Sequence, residues 1–348
     1  MRPSSLGQEI SVERAIGVAA LVLLAAGPLV FSEYWISFVL TQMLLLGVAA
    51  ASLIFLSAYG GMVSLAQPAI YGIAAFALGN MVTTGETKGL NLGWDPWLGV
   101  VLAIAIATFV GLVLGAVASR STGIYFLMLT LVFSVIANKF FNQVESLSGF
   151  GGVGSIQSHT PDLIGLPSEQ PNRLYYVCLV VAILVYVLIR YIVRTPFGLA
   201  LQGVRDDPVR MASLGYNVPL HRTLAFTFAA FLAALGGVLF AWWNSQISPS
   251  TIDLQGVLDL LVIAVIGGLY RIEGAWLGAF VFVLLQNYLR DVPLLDEIGI
   301  PEERFHTAIG IVFLVIVLLS PDGLLGLWEK MRGWGASRLR GVRPSAAS

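Results

Sequence analysis

Long uncharged apolar runs recur along the chain, separated by short segments that carry most of the charge. A membrane-spanning helix needs about 20 mostly apolar residues, and about six or seven of the runs reach that length. The pattern predicts an all-α polytopic membrane protein with about eight to ten transmembrane helices, some of them broken or re-entrant. In chain order the runs are Ile16–Phe31, Tyr34–Ala58, Pro68–Thr84, Trp97–Ser119, Ser121–Asn138, Leu174–Ile189, Thr223–Ile252, Leu260–Tyr270, Gly274–Leu289 and Thr307–Pro321.

Composition supports a lipid environment. Of the 348 residues, 57% are hydrophobic and 11% charged, against about 25% charged in soluble domains. Ile16–Phe31 lacks a small-residue cleavage pattern, so we interpret it as a retained helix rather than a signal peptide. The charges are too scattered for a nucleic-acid-binding patch. One cysteine and three separated histidines give no metal-ligand pattern, so no cofactor is predicted in this chain.

Lysine and arginine positions predict the orientation. If the N-terminus is inside and each run crosses once, fourteen of the 19 basic residues fall inside. The other five fall outside, and basic residues favour the cytoplasmic side. Both termini are therefore predicted to be cytoplasmic. The longest external loop, about 140–173, is rich in glycine, serine and proline and is expected to be flexible or to dock a partner. The basic tail, about 322–348, is predicted to lie against lipid on the inside.

A charged segment between two apolar runs, Thr195–Arg222, is predicted to lie in water on one face of the membrane. We call this segment the island. It predicts a short surface helix over Asp206–Leu214, because Asp206 and Asp207 precede a proline and Gly215 or Asn217 can end a helix. A simple solvated loop is the alternative. A short amphipathic helix is stable only when packed, so the apolar side is expected to enter a partner's groove with Arg205 and Arg210 at its rim. That side is formed by Val209, Met211, Ala212 and Leu214.

An uncharged break in the helical pattern lies at Tyr59–Pro68. Ser64 is a candidate N-cap and Pro68 a candidate first-turn residue of the next helix. Broken helices mark solute sites in many transporters, whereas an ordinary cytoplasmic turn is the alternative. The predicted solute path is lined by Ser64, Gln67 and Asn80.

A second break lies at Gly267–Gly274. The two short apolar pieces beside it either both cross, with Arg271 and Glu273 cytoplasmic, or form a pair that enters and leaves from outside. Gly267 and Gly268 are added to the candidate solute path. The alternative for these glycines is close helix packing, since Gly274 and Gly278 form a GxxxG pattern.

Catalytic patterns are absent from the sequence. There is no HExxH, GxSxG or Walker A motif, and the spans hold essentially no ionisable residue of the kind that enzymes and ion-coupled transporters place at depth. Energy is therefore expected from another subunit. A stand-alone secondary transporter or channel is the competing function, and an intramembrane enzyme is a third.

Several segments in order resemble one protein family. They are Gly60–Gly79, Ser121–Ser134, Arg205–Ala241, Val265–Phe280 and Ser320–Gly326. Together they resemble the LivM-type permease subunits of ABC importers for branched-chain amino acids, over nearly the whole chain. The resemblance implies one permease domain over 1–348 in a bacterial inner membrane, with branched-chain or related amino acids as solutes. Importers of urea, short amides or carboxylates are the alternative.

The resemblance also implies the partners. They are cytoplasmic ATPase subunits that hydrolyse the ATP, a second homologous permease and a periplasmic solute-binding protein. It implies that the island is the ATPase-contacting loop. The residues assigned to this coupling role are Arg205, Asp206, Asp207, Pro208, Val209, Arg210, Met211, Ala212, Leu214 and Gly215.

Overall fold

The computed structural model confirms an all-α protein. It describes residues 22–84, 89–144, 146–147, 151–161, 164–165 and 170–288, and also Gly310, Leu314, Gly323, Leu324 and Gly326. Within these residues, extended pairing is limited to one isolated antiparallel bridge between Val153 and Ile247. Most of the predicted run Thr307–Pro321 and the whole basic tail beyond Gly326 lie outside the described residues.

Nearly every apolar run within the described residues corresponds to one helix. Five of them, α2, α4, α5, α6 and α9, are long and apolar enough to cross a membrane, and α10 and α11 are shorter apolar helices. The run predicted as Thr223–Ile252 ends as an α-helix at Asn244 and is followed by a separate short 3₁₀ turn. The helices are α1 Gly27–Val30, α2 Trp35–Gly60 (its first turn π-helical), α3 Gln67–Val82, α4 Pro96–Ala118, α5 Ile124–Gln143, α6 Pro171–Arg194, α7 Pro196–Asp206, α8 Pro208–Ser213, α9 Val218–Asn244, α10 Leu254–Gly267 and α11 Gly274–Tyr288.

The α2 and α9 helices form the centre of the bundle. In the most apolar 18-residue window of each helix, 89% of α2 and 67% of α9 is buried, against 22% of α4 and α5. An apolar helix exposed over most of its surface needs hydrocarbon around it, because water would not solvate that surface. The α4, α5 and α6 helices, of which 22%, 22% and 28% is buried, therefore form the outer layer of the bundle.

A stripe of small residues brings α4 against α9. Its buried residues are spaced by three or four positions, so they share one face of the helix. Gly111 meets Ala230 of α9 and Gly115 meets Phe226. Small residues let two helix backbones approach closely, which is the main source of packing between helices in lipid. The stripe comprises Gly99, Ala103, Ala107, Gly111, Gly115 and Ala118.

Exposed aromatic side chains mark both ends of the bundle. We call the end that carries the island the island end and the other the opposite end. Tyr125, Tyr191 and Tyr270 are exposed at the island end, whereas Tyr34, Trp94, Trp97 and Tyr176 are exposed at the opposite end. Tyrosine and tryptophan concentrate at the two membrane–water interfaces. The belts agree with a multi-pass membrane protein whose helices run between them.

Close glycine packing joins α10 to α11. A side chain at Gly267 would overlap the carbonyl oxygen of Gly274, and one at Gly278 would overlap that of Ile263. Gly268 has a φ of 110° and accepts the approach of Gly323. The geometry thus agrees with the packing alternative for these glycines.

The described part of the external loop is packed. Val153 and Ile156 are fully buried, and the side chain of Gln157 donates hydrogen bonds to the carbonyl oxygens of Trp242 and Trp243 at the end of α9. Gly152 has a φ of 83° and passes so close to the backbone of Ile247 that a side chain would not fit. The expectation of a flexible loop is therefore wrong over residues 151–161.

Candidate functional site

The island consists of two short helices. Each of them begins with a proline that directly follows the capping residue. Thr195 caps α7 by accepting from the N–H of Gly198, and Asp207 caps α8 by accepting from the N–H of Arg210 at 2.9 Å. Asp206 is the last residue of α7 rather than a cap. The predicted helix over Asp206–Leu214 is therefore shorter, because Asp207 leaves helical geometry to act as the cap.

The end of the island turns at Gly215. Gly215 has a φ of 89°, in the left-handed region that glycine tolerates best. Asn217, predicted as an alternative end of α8, instead caps the next helix by accepting from the N–H of Leu220 at 3.1 Å. The island therefore leads directly into α9, one of the two central helices.

Arg205 is exposed on the island and also bonds to the membrane bundle, a contact that the sequence did not predict. Its Nη1 donates to the carbonyl oxygen of Ala58 in the last turn of α2. Its aliphatic stem covers Gly61, where an added side chain would clash with it. The Nε atom donates to Asp206 at 2.8 Å. A cation suits the unsatisfied carbonyl groups at a helix C-terminus, so Arg205 attaches the island to α2.

Most of the apolar side chains that the sequence predicts to enter a partner's groove are exposed on the island. Val209 is 75% exposed and Leu214 is 66% exposed, and Ala212 and Arg210 are also exposed. Met211 differs, because its sulfur lies against Gly203 of α7. It is therefore partly buried against α7 and contributes less to the outer surface.

Three further apolar or aromatic side chains of the island are exposed and were missed by the sequence pattern. Leu199 of α7, Tyr216 and Leu220 are 61%, 43% and 49% exposed. His221 stacks on Phe197 and meets the edge of Tyr216, which holds the segment together. Exposed apolar groups that cluster on a charged segment are typical of protein-docking sites.

An ion pair connects the turn between α10 and α11 to α6, near the island. Glu273 lies 2.9 Å from Nη2 of Arg190 and accepts a hydrogen bond from the hydroxyl of Tyr186 at 2.9 Å. Arg190 is in the last turns of α6, which leads into the island. The turn therefore lies toward the island end, in agreement with the alternative in which both short helices cross.

The first break lies inside the protein, next to the island. Gly61 ends α2 with a φ of 64°, and α3 begins at Gln67 with Ala66 in the cap position. Pro68 is in the first turn as predicted, but Ser64 is not the N-cap and accepts instead from the N–H of Ala66 at 3.3 Å.

Two side chains of α5 form hydrogen bonds with the backbone of this break. Thr130 accepts from the N–H of Leu65 at 3.1 Å, and Ser134 donates to its carbonyl oxygen at 2.6 Å. Leu65 itself is buried, as are its neighbours Ser64 and Ala66. A solvated cytoplasmic turn would expose these residues, so the geometry favours a break enclosed by the bundle.

The residues predicted to line the solute path are not all together. Gln67 is fully buried, its Oε1 accepts from Ser52, and its Nε2 has no hydrogen-bond partner among the described residues. Asn80 lies roughly 20 Å further along α3. It bonds to the backbone of Leu147 and Leu90 and so orders the loops at the opposite end. Gly267 and Gly268 belong to the helix packing described above.

A cleft of about 290 Å³ lies between α2, α3, α10 and α11. Its apolar wall includes Pro68 and Tyr71 of α3, so the cleft adjoins the first turn of that helix. Gln42 donates to Gln286 across it at 3.2 Å. Its polar side chains come from separate regions of the sequence, and among them are Gln42, Asp253, Gln255, Asp259 and Gln286.

Asp259 lies within α10 and lines the cleft. The sequence pattern began the apolar run after it, at Leu260, but α10 begins six residues earlier at Leu254. Asp253 caps the helix by accepting from the N–H of Gly256 at 2.9 Å, which places Asp259 within its second turn. The capping signal of Asp253 could have revealed this from sequence.

A comparison with protein families identifies the family to which the chain belongs. The family model described as the permease component of branched-chain amino acid transport systems matches residues 35–318. The chain belongs to this family of permeases. It is a LivM-type permease and not an enzyme, and the island and the cleft are therefore parts of a transport subunit.

Named relatives agree with this assignment. The chain is 27% identical to the high-affinity branched-chain amino acid permease protein LivM of Escherichia coli K12, over 88% of the chain and 74% of that protein. It is 24% identical to a probable LivM of Methanocaldococcus jannaschii, over 80% of the chain and 84% of that protein. It is also 28% identical to the nucleoside ABC transporter permease NupC of Lactococcus lactis, over 74% and 83%. No solved structure matches the chain.

Proposed function

We propose that this LivM-type permease passes branched-chain or related amino acids from a periplasmic binding protein to the cytoplasm, driven by ATP hydrolysis in partner subunits. The family match over residues 35–318 carries this proposal. The test is uptake into proteoliposomes by the complex that co-purifies with this chain. Leucine should enter only with ATP and the loaded binding protein. Leucine uptake driven by a proton gradient at fixed ATP would favour a secondary transporter instead.

A nucleoside is the second candidate solute. The observation that favours it is the 28% identity to a nucleoside permease, which is as high as the identity to the LivM proteins. The same proteoliposomes distinguish the two, because labelled uridine should enter in place of leucine if the chain serves nucleosides. Permeases for urea, short amides or carboxylates would accept neither probe.

The island is proposed to carry the ATPase contact. Its exposed apolar side chains, chiefly Val209, Ala212 and Leu214, form the anchor that would enter a groove of the ATPase. Arg205 and α9 connect that anchor to both central helices. A movement of the ATPase would therefore be transmitted to α2 and α9 rather than absorbed in a loose loop.

The proposed orientation puts the island, and both termini, in the cytoplasm of a bacterial cell, with the chain in the inner membrane. The basic-residue asymmetry supports it. Single cysteines at Ser158 and Ser213, both exposed, test it in a Cys178→Ser background. An impermeant thiol reagent on intact spheroplasts should label only the cysteine at position 158. Labelling at position 213 alone would mean the reverse orientation.

The proposed solute path passes Ser64 in the first break and Gln67 in the first turn of α3. Replacing Gln67 by leucine keeps the side-chain volume but removes the amide, so leucine uptake should fall about tenfold while complex assembly is retained. Thr108→Val is the matched control. Thr108 also has a buried oxygen without a partner among the described residues, but it lies on α4, away from the path. Equal uptake by both variants would remove Gln67 from the path.

A further inference from the structure

A second cavity, of about 160 Å³, lies between two helices of the outer layer, α4 and α6. We call it the outer groove. Its walls include Trp97 and Ile104 of α4 and Val177 and Val181 of α6, and the last turns of α9 form its floor. All of the residues that line it are apolar or aromatic. The outer groove therefore suits an apolar ligand.

The outer groove opens sideways at the level where the membrane meets water. Trp97 is 53% exposed and Val177 and Val181 are half-buried, whereas Trp242 on the floor is 5% exposed. Trp97 lies in the first turn of α4, within the aromatic belt at the opposite end. Ile104 follows seven residues later, roughly 10 Å deeper along the helix. The groove thus extends from the interface into the hydrocarbon region.

Hydrocarbon fills such a groove better than water or a void. A void deprives the lining side chains of dispersion contacts. A water molecule needs two to four polar partners, and the described side chains of the lining offer at most the indole N–H groups of Trp97 and Trp242. An acyl chain is apolar and flexible, so it can follow the half-buried walls from the interface inward.

An arginine lies at the mouth of the outer groove. Arg173 precedes Val177 and Val181 by four and eight residues, so the three lie on successive turns along one side of α6. Its Nη1 is 3.6 Å from the position that a Cβ of Gly165 would take, and Ile164, the neighbour of Gly165, lines the groove. A cation therefore stands directly beside the interfacial end of an apolar groove.

The guanidinium of Arg173 is available to a ligand. Arg173 is exposed, and neither an ion pair nor a hydrogen bond joins its side chain to another described residue. Arginine binds phosphate through charge-assisted hydrogen bonds from its planar donors. A phospholipid carries its phosphate at the membrane surface and its acyl chains below it, in the same order as Arg173 and the groove.

The beginning of the described chain lies on another side of α6. The hydroxyl groups of Tyr175 and Tyr176 donate to the carbonyl oxygens of Leu24 and Ala25 at 2.5 and 3.5 Å. At about 100° of rotation per residue, the side of α6 that carries Val177 and Val181 is roughly 100–140° away from Tyr176. Residues 22–26 therefore do not occupy the outer groove, which favours lipid as its occupant.

We infer that the outer groove binds one phospholipid, with an acyl chain between α4 and α6 and its phosphate on the guanidinium of Arg173. In the proposed orientation this lipid belongs to the outer leaflet of the inner membrane. The site is separate from the island and from the cleft, and it does not depend on which solute the permease carries.

The headgroup contact is tested by native mass spectrometry of the complex that co-purifies with this chain, titrated with either of two lipids. Dioleoyl phosphatidylglycerol carries the phosphate, and dioleoylglycerol has the same acyl chains without it. Arg173→Gln should weaken binding of the phosphatidylglycerol about tenfold, because one charge-assisted hydrogen bond is lost, and leave binding of dioleoylglycerol unchanged. Lys139→Gln removes an exposed cation at the same end of the bundle and should match the wild type. Equal effects of Arg173→Gln and Lys139→Gln would overturn the inference.

The acyl-chain contact is tested by filling the groove. Val181→Phe adds volume inside it and should reduce the number of phospholipids retained per complex by one and weaken both lipids. Val180→Phe makes the same change at a neighbouring position that is 62% exposed and does not line the groove, and it should retain the wild-type number. Equal retention by the two variants would overturn the site.

Photo-crosslinking covers the case in which Val181→Phe does not assemble. A photoreactive benzoylphenylalanine in place of Ile104 should gain the mass of a phospholipid when it is irradiated in the cell membrane. A crosslink to another subunit, or to residues 1–21 of this chain, would show a protein occupant and overturn the inference. Neither result bears on uptake of leucine, so the proposed function is tested separately.

Discussion

Replacing Leu214 by aspartate is expected to release the ATPase from the complex and to abolish uptake. Leu214 is 66% exposed on the island, next to the exposed Ala212. Burying an apolar anchor of this size stabilises a complex by roughly 1.5–3 kcal/mol. A carboxylate forced into the same apolar groove would cost more than that. Co-purification of the ATPase with the tagged permease, and ATP-dependent leucine uptake, measure the effect.

The matched control adds the same charge at the same end but outside the island. Thr122, exposed in the turn between α4 and α5, serves this purpose as Thr122→Asp and should keep both the ATPase and the uptake. Ala212→Asp should behave like Leu214→Asp. The docking proposal is wrong if both island variants insert into the membrane, retain the ATPase and transport leucine at the wild-type rate.

Two adjacent glycines of α9 are expected to respond oppositely to alanine. A methyl group at Gly237 would overlap the carbonyl oxygen of Tyr71 on α3, whereas one at Gly236 would meet its nearest atoms at 3.4 Å, an ordinary contact. The obstacle at Gly237 is backbone, so no rotamer change can relieve it, and α3 must move away from α9. We expect Gly237→Ala to destabilise the protein by about 1–3 kcal/mol or more.

Thermal melting of the detergent-purified permease, followed by size-exclusion chromatography, measures this difference. Gly236→Ala should be as stable as the wild type or slightly more stable, because alanine is about 1 kcal/mol better than glycine inside a helix. Equal melting of the two variants would show that α3 and α9 are less closely packed than the structure describes.

Local signals in the sequence predicted most helix starts and ends. Pro68 is in the first turn of α3, Asp207 caps α8, and Gly215 turns the chain after it. These features depend on a few neighbouring residues, so they are readable without the rest of the fold. The capping hydrogen bond of a side chain to a backbone N–H two or three residues later is a local contact.

Long-range contacts decided what the sequence interpretation did not supply. Arg205 was expected at the rim of a partner's groove, and its guanidinium also donates to the carbonyl oxygen of Ala58, a contact that the sequence did not reveal. Met211 has the right spacing for the outer surface, yet it is partly buried against Gly203 of α7. The backbone of the first break is satisfied by Thr130 and Ser134, which are more than 60 residues further along the chain.

By itself, the sequence determined that the chain is helical, membrane-embedded and a LivM-type permease, because hydrophobic run length and ordered motifs report these directly. Only the tertiary structure decided which helices are central and which residues share a cleft. Lipid and protein interior are both apolar, so an apolar run looks the same whether it faces one or the other. Gln42, Asp259 and Gln286 are far apart in the chain, and only the packing of α2 against α10 and α11 brings them to one site.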